Sequence, residues 1–290
     1  MRQIVLLSTV CVFLIFGSFA CKPKQLPNTQ DHQTQSQGNQ NQQVSPPLPT
    51  PLLSEVQVPT PDGISLAGAF IQVSDTQPSP TCLLLHQLGA NKETYSAFQE
   101  ALSRAGISSL AIDFRGHGAS TQGDELDYHN FTDEEWASLT DDVRGGLSFL
   151  RSQANVDKSR LCVVGASIGA NLAVIAVADD TVAGGNPPVT CMVLLSPGVN
   201  YHSVQPLSRA RDLGHMPVLI ISGTADAQSY GGSQSLSQAA RGAELMPFNG
   251  RAHGTDLFKV DAEMLGKVVD WIKTHDLPGV STNPPSGGGH

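Results

Sequence analysis

Gly165-Ala166-Ser167-Ile168-Gly169 lies between an apolar, β-branched run, Leu161 to Val164, and a second apolar run rich in helix formers, Asn171 to Ala178. Strand, sharp turn, helix is the setting in which a Gly-x-Ser-x-Gly pentapeptide reads as a nucleophile elbow. A serine hydroxyl is a weak nucleophile and has to stand clear of the backbone, where a base can reach it. Small residues on either side let the strand and the helix approach each other through a strained turn. The free N–H groups at the start of the helix then point to where negative charge would develop. The plainer alternative is a glycine-rich strand-to-helix turn with no chemistry, and the pentapeptide alone does not decide between the two. Its flanks do.

Outward from this stretch, short apolar runs alternate with amphipathic ones. Glu55–Val58 and Ile64–Val73 read as a pair of antiparallel strands joined by the turn at Pro61-Asp62-Gly63. Further strands are predicted at Cys82–Leu85, Ser108–Ile112, Leu161–Gly165, Cys191–Leu195, Pro217–Ile221 and Ala243–Met246. Helices are predicted at Lys92–Arg104, Asp133–Gln153, Ile168–Asp179, Gln205–Arg211, Ser233–Arg241 and Lys259–Thr274. This alternation implies an α/β fold: a mostly parallel eight-stranded sheet with helices on both faces. Ligands in such sheets bind beyond the carboxyl ends of the strands. Those positions hold His86-Gln87-Leu88-Gly89, then Asp113-Phe114-Arg115-Gly116-His117-Gly118-Ala119-Ser120, Ser167, Gly223-Thr224-Ala225-Asp226, and Gly250-Arg251-Ala252-His253-Gly254.

With these residues in this order, the segment resembles the α/β-hydrolases, in particular serine esterases and dienelactone-hydrolase-like members. The chain order Ser, Asp, His matches that family, and the Asp-x-Arg-Gly-x-Gly-x-Ser stretch is similar to one found among its esterases and peptidases. The resemblance implies that Ser167 attacks an acyl carbonyl, His253 takes and returns the proton, and Asp226 orients the imidazole. Asp226 is preferred to Asp256, which lies too close to His253 in the chain to reach behind the ring. Backbone N–H groups of Ile168 and Leu88 are the expected oxyanion donors, with Gln87 the alternative to Leu88 because it stands where the family usually has glycine. His86, Arg115 and His117 are read as bracing their loops.

The connection from Ser196 to Met216 is too short for a large cap domain, so small or openly presented ester substrates are expected. A peptidase, a thioesterase and a lactonase are the rival activities. A non-catalytic surface protein that uses the fold for binding is the rival class. No cofactor is implied. The nine histidines show no His-Glu-x-x-His or His-x-His spacing, so no metal site is expected. The net charge of −9, with no Lys/Arg cluster, argues against nucleic acid as a partner. Cys82, Cys162 and Cys191 fall in the apolar strands and read as buried small hydrophobes rather than a disulfide framework. Oligomeric state is not legible.

The ends of the chain differ in character from its middle. Arg2 precedes an apolar run from Ile4 to Ala20 that is short for a bilayer span and reads as a secretory signal over 1–20. Ser18-Phe19-Ala20-Cys21 is similar to a bacterial lipoprotein cleavage box, with Ser18 where such boxes usually carry Leu. That resemblance implies an exported, membrane-anchored lipoprotein with lipid, palmitate included, on Cys21. Residues 21–53 hold eight Gln between Gln25 and Gln43, followed by Pro46, Pro47, Pro49 and Pro51. A segment of this composition buries too little surface to fold and reads as a tether. The catalytic domain is expected over 54–277 and a second tail over 278–290.

Overall fold

A computed structural model describes residues 51–185, 188–261 and 263–276. The signal, Cys21, most of the tether and the C-terminal tail lie outside the described residues. Eight strands form one sheet: Leu52–Pro59 (β1), Ser65–Gln72 (β2), Ser79–Leu85 (β3), Ser108–Ile112 (β4), Val156–Ala166 (β5), Cys191–Leu195 (β6), Val218–Gly223 (β7) and Ala243–Phe248 (β8). The helices are Ser96–Arg104 (α1), Asp133–Ser152 (α2), Ile168–Val182 (α3), Tyr230–Ala239 (α4), Leu257–Val260 (α5) and Met264–His275 (α6). The strands run in the order β1-β2-β4-β3-β5-β6-β7-β8. β2 is antiparallel to both of its neighbours and every other pairing is parallel.

Burial accounts for this arrangement. β4, β6 and β7 are buried along their whole length, as strands covered on both faces must be, whereas the edge strands β1 and β8 are half exposed. Successive side chains of each strand serve opposite cores. Leu83, Leu85, Val163, Leu194 and Ile220 pack with α2, α3 and α4 on one face. Cys82, Leu84, Val164, Val193 and Leu219 pack with α1 and α6 on the other. Register places Cys82 beside Cys162 and Cys162 beside Cys191, and all three are free buried thiols. Apart from Asn171, α3 is apolar on every side from Ile168 to Ala178 and buried over most of that length, as a helix enclosed between a sheet and other segments must be. α2 starts where Thr132 and Glu135 form a capping box, with Glu135 N–H donating to Thr132 Oγ1 and Thr132 N–H to Glu135 Oε2.

Three expectations need correction. The helix predicted over Gln205–Arg211 is a run of turns ending in a 3-10 turn at Ala210–Leu213. Its N–H groups reach back three residues, Arg209 to Pro206 and Asp212 to Arg209. The i,i+3 spacing buries Ala210 and Leu213 together, so a short segment gets its packing without nucleating an α-helix. Arg209 anchors it to Asp179 of α3 and to Asp212. The helix predicted over Lys259–Thr274 is split into α5 and α6 at Asp261. That residue is extended, and its side chain accepts the Glu263 N–H at 2.9 Å, a local bond that competes with helix continuation. α4 begins three residues earlier than expected, through Gly231-Gly232. A Cβ on Gly232 would lie 2.7 Å from the Val199 backbone nitrogen, so tertiary contact overrides the poor helix propensity of glycine here.

The loop after β4 is a clamp, which is the structural role expected of Arg115. The guanidinium bridges Asp62 in the β1–β2 turn, at 2.6 and 3.0 Å, and the buried Asp142 of α2, at 2.7 Å from Nε. Asp113 accepts the N–H groups of Lys92 at 2.6 Å and Ala119 at 2.8 Å. Gly118 has φ +52, and any Cβ there would sit 2.3 Å from the Asp113 carboxylate, which explains the second glycine of the motif. The hydrogen bond from Arg115 is the main cause holding the Asp62 carboxyl below its ordinary 3.8, against a smaller opposing effect of burial. A carboxyl whose pKa is depressed by folding contributes stability above its unfolded value and loses it as pH falls through the folded one. Asp62→Asn should therefore lower Tm near pH 7, by no more than a few degrees because the pair is partly solvated. The difference from the native chain should close as pH drops below 3.8. Melting curves at pH 7, 5 and 3 check this, and a gap that does not narrow between pH 5 and pH 3 would assign the effect to something other than charge.

Candidate active site

The carboxyl ends of β3, β5, β6, β7 and β8 meet at one place. Ser167 follows β5 with φ 53 and ψ −118, a region that a residue with a Cβ adopts only when its surroundings impose it. The flanking glycines show what imposes it. A Cβ on Gly165 would lie 2.5 Å from the carbonyl oxygen of Gly169, and one on Gly169 would lie 2.6 Å from the carbonyls of Leu85 and His86. The strand, the helix and the neighbouring strand end are thus in backbone contact around the serine. Ser167 N–H donates to Leu195 O at 2.8 Å, which fixes the turn against β6.

Ser167 Oγ lies 2.8 Å from His253 Nε2, and His253 Nδ1 lies 2.6 Å from Asp226 Oδ2. Because a carboxylate only accepts, Nδ1 carries the proton and Nε2 is left to accept from the serine hydroxyl. Asp226 also accepts the Ser229 hydroxyl on Oδ2 and the Gln228 N–H on Oδ1 at 3.2 Å. Burial alone would raise its pKa. The bonds from Ser229 and His253 outweigh burial and hold the carboxyl below its ordinary value, so it is ionised at neutral pH. Asp256, the rejected alternative, pairs with Lys259 at 2.8 Å.

His253 sits in a turn held from two sides. Ser196 Oγ accepts the Gly254 N–H at 3.0 Å, and the Gln87 side-chain carbonyl accepts the N–H and the hydroxyl of Thr255 at 3.2 and 2.9 Å. The brace from Gln87 gives a physical reason for glutamine where glycine is usual: it ties the loop after β3 to the turn that carries the histidine. Sequence reading missed these roles for Gln87, Ser196 and Ser229. For Gln87 the signal was the departure itself. Ser229 follows Asp226 by three residues, the spacing of a local side-chain bond, but nothing local marked Ser196.

The loop after β3 has a defined peptide orientation. Burial drives the His86 pKa down to about 3, so the ring is neutral. Its Nε2 accepts the Phe114 N–H at 3.1 Å, and its Nδ1 therefore donates to Gln87 O at 2.8 Å. The Gln87 carbonyl also accepts the Ala90 N–H at 3.1 Å. In a planar trans peptide the N–H points opposite to the C=O, so the Leu88 N–H faces away from His86. The Ile168 N–H is one of the four donors at the start of α3 that have no partner within the helix.

A cavity of about 350 Å³ opens over Ser167, lined by Gln87, Leu88, Ile168, Tyr201, His202, Gln228 and His253. It is near the lower end of ligand-site sizes. A larger and more open groove of about 530 Å³, between Phe248 and Val260, does not reach Ser167. The acidic residues between Thr121 and Glu135 do not line the cavity. Asp127 is occupied by His129, and Glu135 caps α2. Among the described residues no cluster of His, Cys, Asp and Glu is arranged to hold a metal.

Comparison with known proteins finds likenesses over part of the chain. Residues 76–214 match the model of the family described as serine aminopeptidase, S33. That span includes Ser167 and ends before Asp226 and His253. An uncharacterized protein of Mycobacterium tuberculosis is 27% identical over 194 residues, covering 59% of this chain. The match spans 61% of that relative's length. Among solved structures, an esterase from Pyrococcus furiosus is 20% identical with a TM-score of 0.62, covering 78% of this chain and 93% of its own. A dienelactone hydrolase from Anabaena variabilis is 17% identical with a TM-score of 0.60, covering 78% and 96%. Est1E from Butyrivibrio proteoclasticus, solved with ferulic acid bound, is 18% identical with a TM-score of 0.58, covering 76% and 96%.

Proposed function

We propose that this chain, which has the α/β-hydrolase fold, is a serine hydrolase that cleaves small carboxylic esters through an acyl-enzyme on Ser167. The observation that carries the reading is the continuous relay from Ser167 Oγ to His253 Nε2 and from His253 Nδ1 to Asp226, at 2.8 and 2.6 Å. In acylation the Ser167 Oγ–C bond forms as its proton passes to His253 Nε2. The carbonyl π pair moves onto oxygen, facing the N–H groups of Leu88 and Ile168. The C–O bond to the leaving group then breaks as His253 returns the proton to that oxygen. Water repeats the sequence to release the acid. Asp226 stays ionised and stabilises the imidazolium.

A serine aminopeptidase is the second reading, favoured by the family match over residues 76–214. Such an enzyme has to hold a substrate ammonium, which calls for a carboxylate in the cavity. Among the lining residues there is none, and Asp226 is committed to His253. The lining holds no Asp, Glu, Lys or Arg, which suits an uncharged acyl chain.

The test is a series of p-nitrophenyl esters of rising acyl length beside aminoacyl p-nitroanilides, together with labelling by a fluorophosphonate. A buried methylene is worth ~0.8 kcal/mol, or about fourfold in kcat/KM, only while there is wall to receive it. In a cavity of about 350 Å³, with no cap domain among the described residues, kcat/KM should peak at about two to six carbons. Faster turnover of the anilides would favour the aminopeptidase. Efficiency still rising at palmitate would reveal an acyl tunnel, and no labelling would refute the serine mechanism.

A further inference from the structure

Tyr201 stands on the opposite side of Ser167 from Leu88. Leu88 follows β3 and Tyr201 follows β6, the two strands that flank β5. The Tyr201 ring meets His253 edge-on at 6.3 Å between centroids. Its hydroxyl donates to Ser196 O only at 3.3 Å, a long bond readily exchanged for a better acceptor, and the side chain lines the same cavity as Ser167. Burial pushes the phenol up to about 12, so it remains a donor across the neutral range.

The chain spends conformational energy to hold this side chain in place. Tyr201 and Val204 pair across a two-residue turn, with both N–H···O bonds formed, at 3.3 and 2.9 Å. The turn residues His202 and Ser203 have φ +46 and +65, although neither is Gly, Asn or Asp, the residues such a turn normally uses. His202 is clamped by stacking on Trp136 at 4.4 Å. Buried Asn171 of α3 donates to Val204 O at 2.9 Å and accepts the Gly198 N–H at 3.1 Å, closing both ends of the segment. The Tyr201 ring folds back onto Gly198, where a Cβ would lie 2.5 Å from it. A strained hairpin fixed at four points, which sets a tyrosine in the wall of the cavity that holds Ser167, is more than a loop needs to close a connection between strands.

From this geometry, and resting on the serine-hydrolase reading above, we infer that the Tyr201 hydroxyl contacts the leaving-group oxygen of the ester and donates a hydrogen bond to it as the C–O bond breaks. The carbonyl oxygen is turned toward the amides on the β3 side. The departing oxygen therefore faces His253 and the β6 side, where Tyr201 lies. Tyr201 keeps its own proton. The proton that completes the alcohol is the one His253 Nε2 took from Ser167, and the tyrosine bond steadies charge on the oxygen until that proton arrives.

The signature is a dependence on the leaving group. An alkoxide carries more localised charge than p-nitrophenolate and needs the donor more. With one acyl group, ethyl butyrate followed by pH-stat and p-nitrophenyl butyrate followed by absorbance report acylation through kcat/KM. Tyr201→Phe should cut kcat/KM for the ethyl ester about ten- to a hundredfold, the scale of one donor to developing charge, and for the p-nitrophenyl ester less than about threefold. An equal loss on both esters, whether from a displaced Ser167 or from misfolded protein, overturns the inference, as does no loss on either. Fluorophosphonate titration of intact sites normalises both rates. A native chain that is neither labelled nor active on either ester would instead overturn the hydrolase reading on which the inference rests.

Discussion

Ser167→Ala is expected to reduce kcat/KM for a short-chain ester by about 10⁴-fold or more and to abolish fluorophosphonate labelling, while leaving Tm within a few degrees of the native value. Loss of the nucleophile accounts for the first two results. The third follows from what the side chain does in the fold. Ser167 does not cap α3 with its hydroxyl, and the turn is held by its backbone N–H on Leu195 O. Alanine and serine share the same Cβ, so the strain at φ 53 is unchanged. Substitution by a β-branched residue would not isolate the chemistry in this way. A Ser167→Ala protein that keeps its turnover and resists the probe would end the acyl-enzyme reading.

Asp226→Asn should lower kcat by about 10³- to 10⁴-fold with little change in KM, because in the proposed mechanism the carboxylate acts as charge forms on the imidazole. The hydrogen-bond pattern makes the substitution severe. Oδ2 accepts from both Ser229 and His253, and Oδ1 accepts from the Gln228 N–H. An amide NH₂ in the Oδ2 position would donate to Nδ1, force the proton onto Nε2 and leave nothing to accept from Ser167. In the Oδ1 position it would face a backbone donor. Asp256→Asn, which loses only an exposed pair with Lys259, should change kcat less than about threefold. Steady-state kinetics of the two variants decide between the carboxylates, and the opposite ranking would mean that the histidine turns to Asp256 during catalysis.

Much of this protein is written in patterns a few residues long. Period-two apolar runs and capped amphipathic stretches carry information about their own burial. All eight strands could therefore be read from sequence, and α2 could be placed to within one residue at its end. The pentapeptide around Ser167 is similarly local: the glycines, the serine and the strand and helix on each side define the turn before any distant residue is considered. That Asp226 and His253 come within hydrogen-bond reach of one another and of Ser167 has a related basis. Each follows a recognisable strand, and the carboxyl ends of parallel strands lie at one edge of a sheet.

Other features depended on partners far away in the chain, where no local pattern points. β4 lies between β2 and β3, an order that composition does not specify. The helix expected over Gln205–Arg211 is instead a 3-10 turn at Ala210–Leu213, because burial beside α3 and the ion pair to Asp179 outweigh the weak propensity of a short segment. The clamp on His253 from Gln87 and Ser196 spans 168 and 58 positions of sequence. The place of Tyr201 beside Ser167 depends on a strained turn that its own residues disfavour and that Asn171 and Trp136 hold from two helices. The local sequence determined which polar groups stand at the ends of the strands. Tertiary packing decided which of them are oriented toward one another, since fixing a side chain requires contacts that only the folded chain brings together.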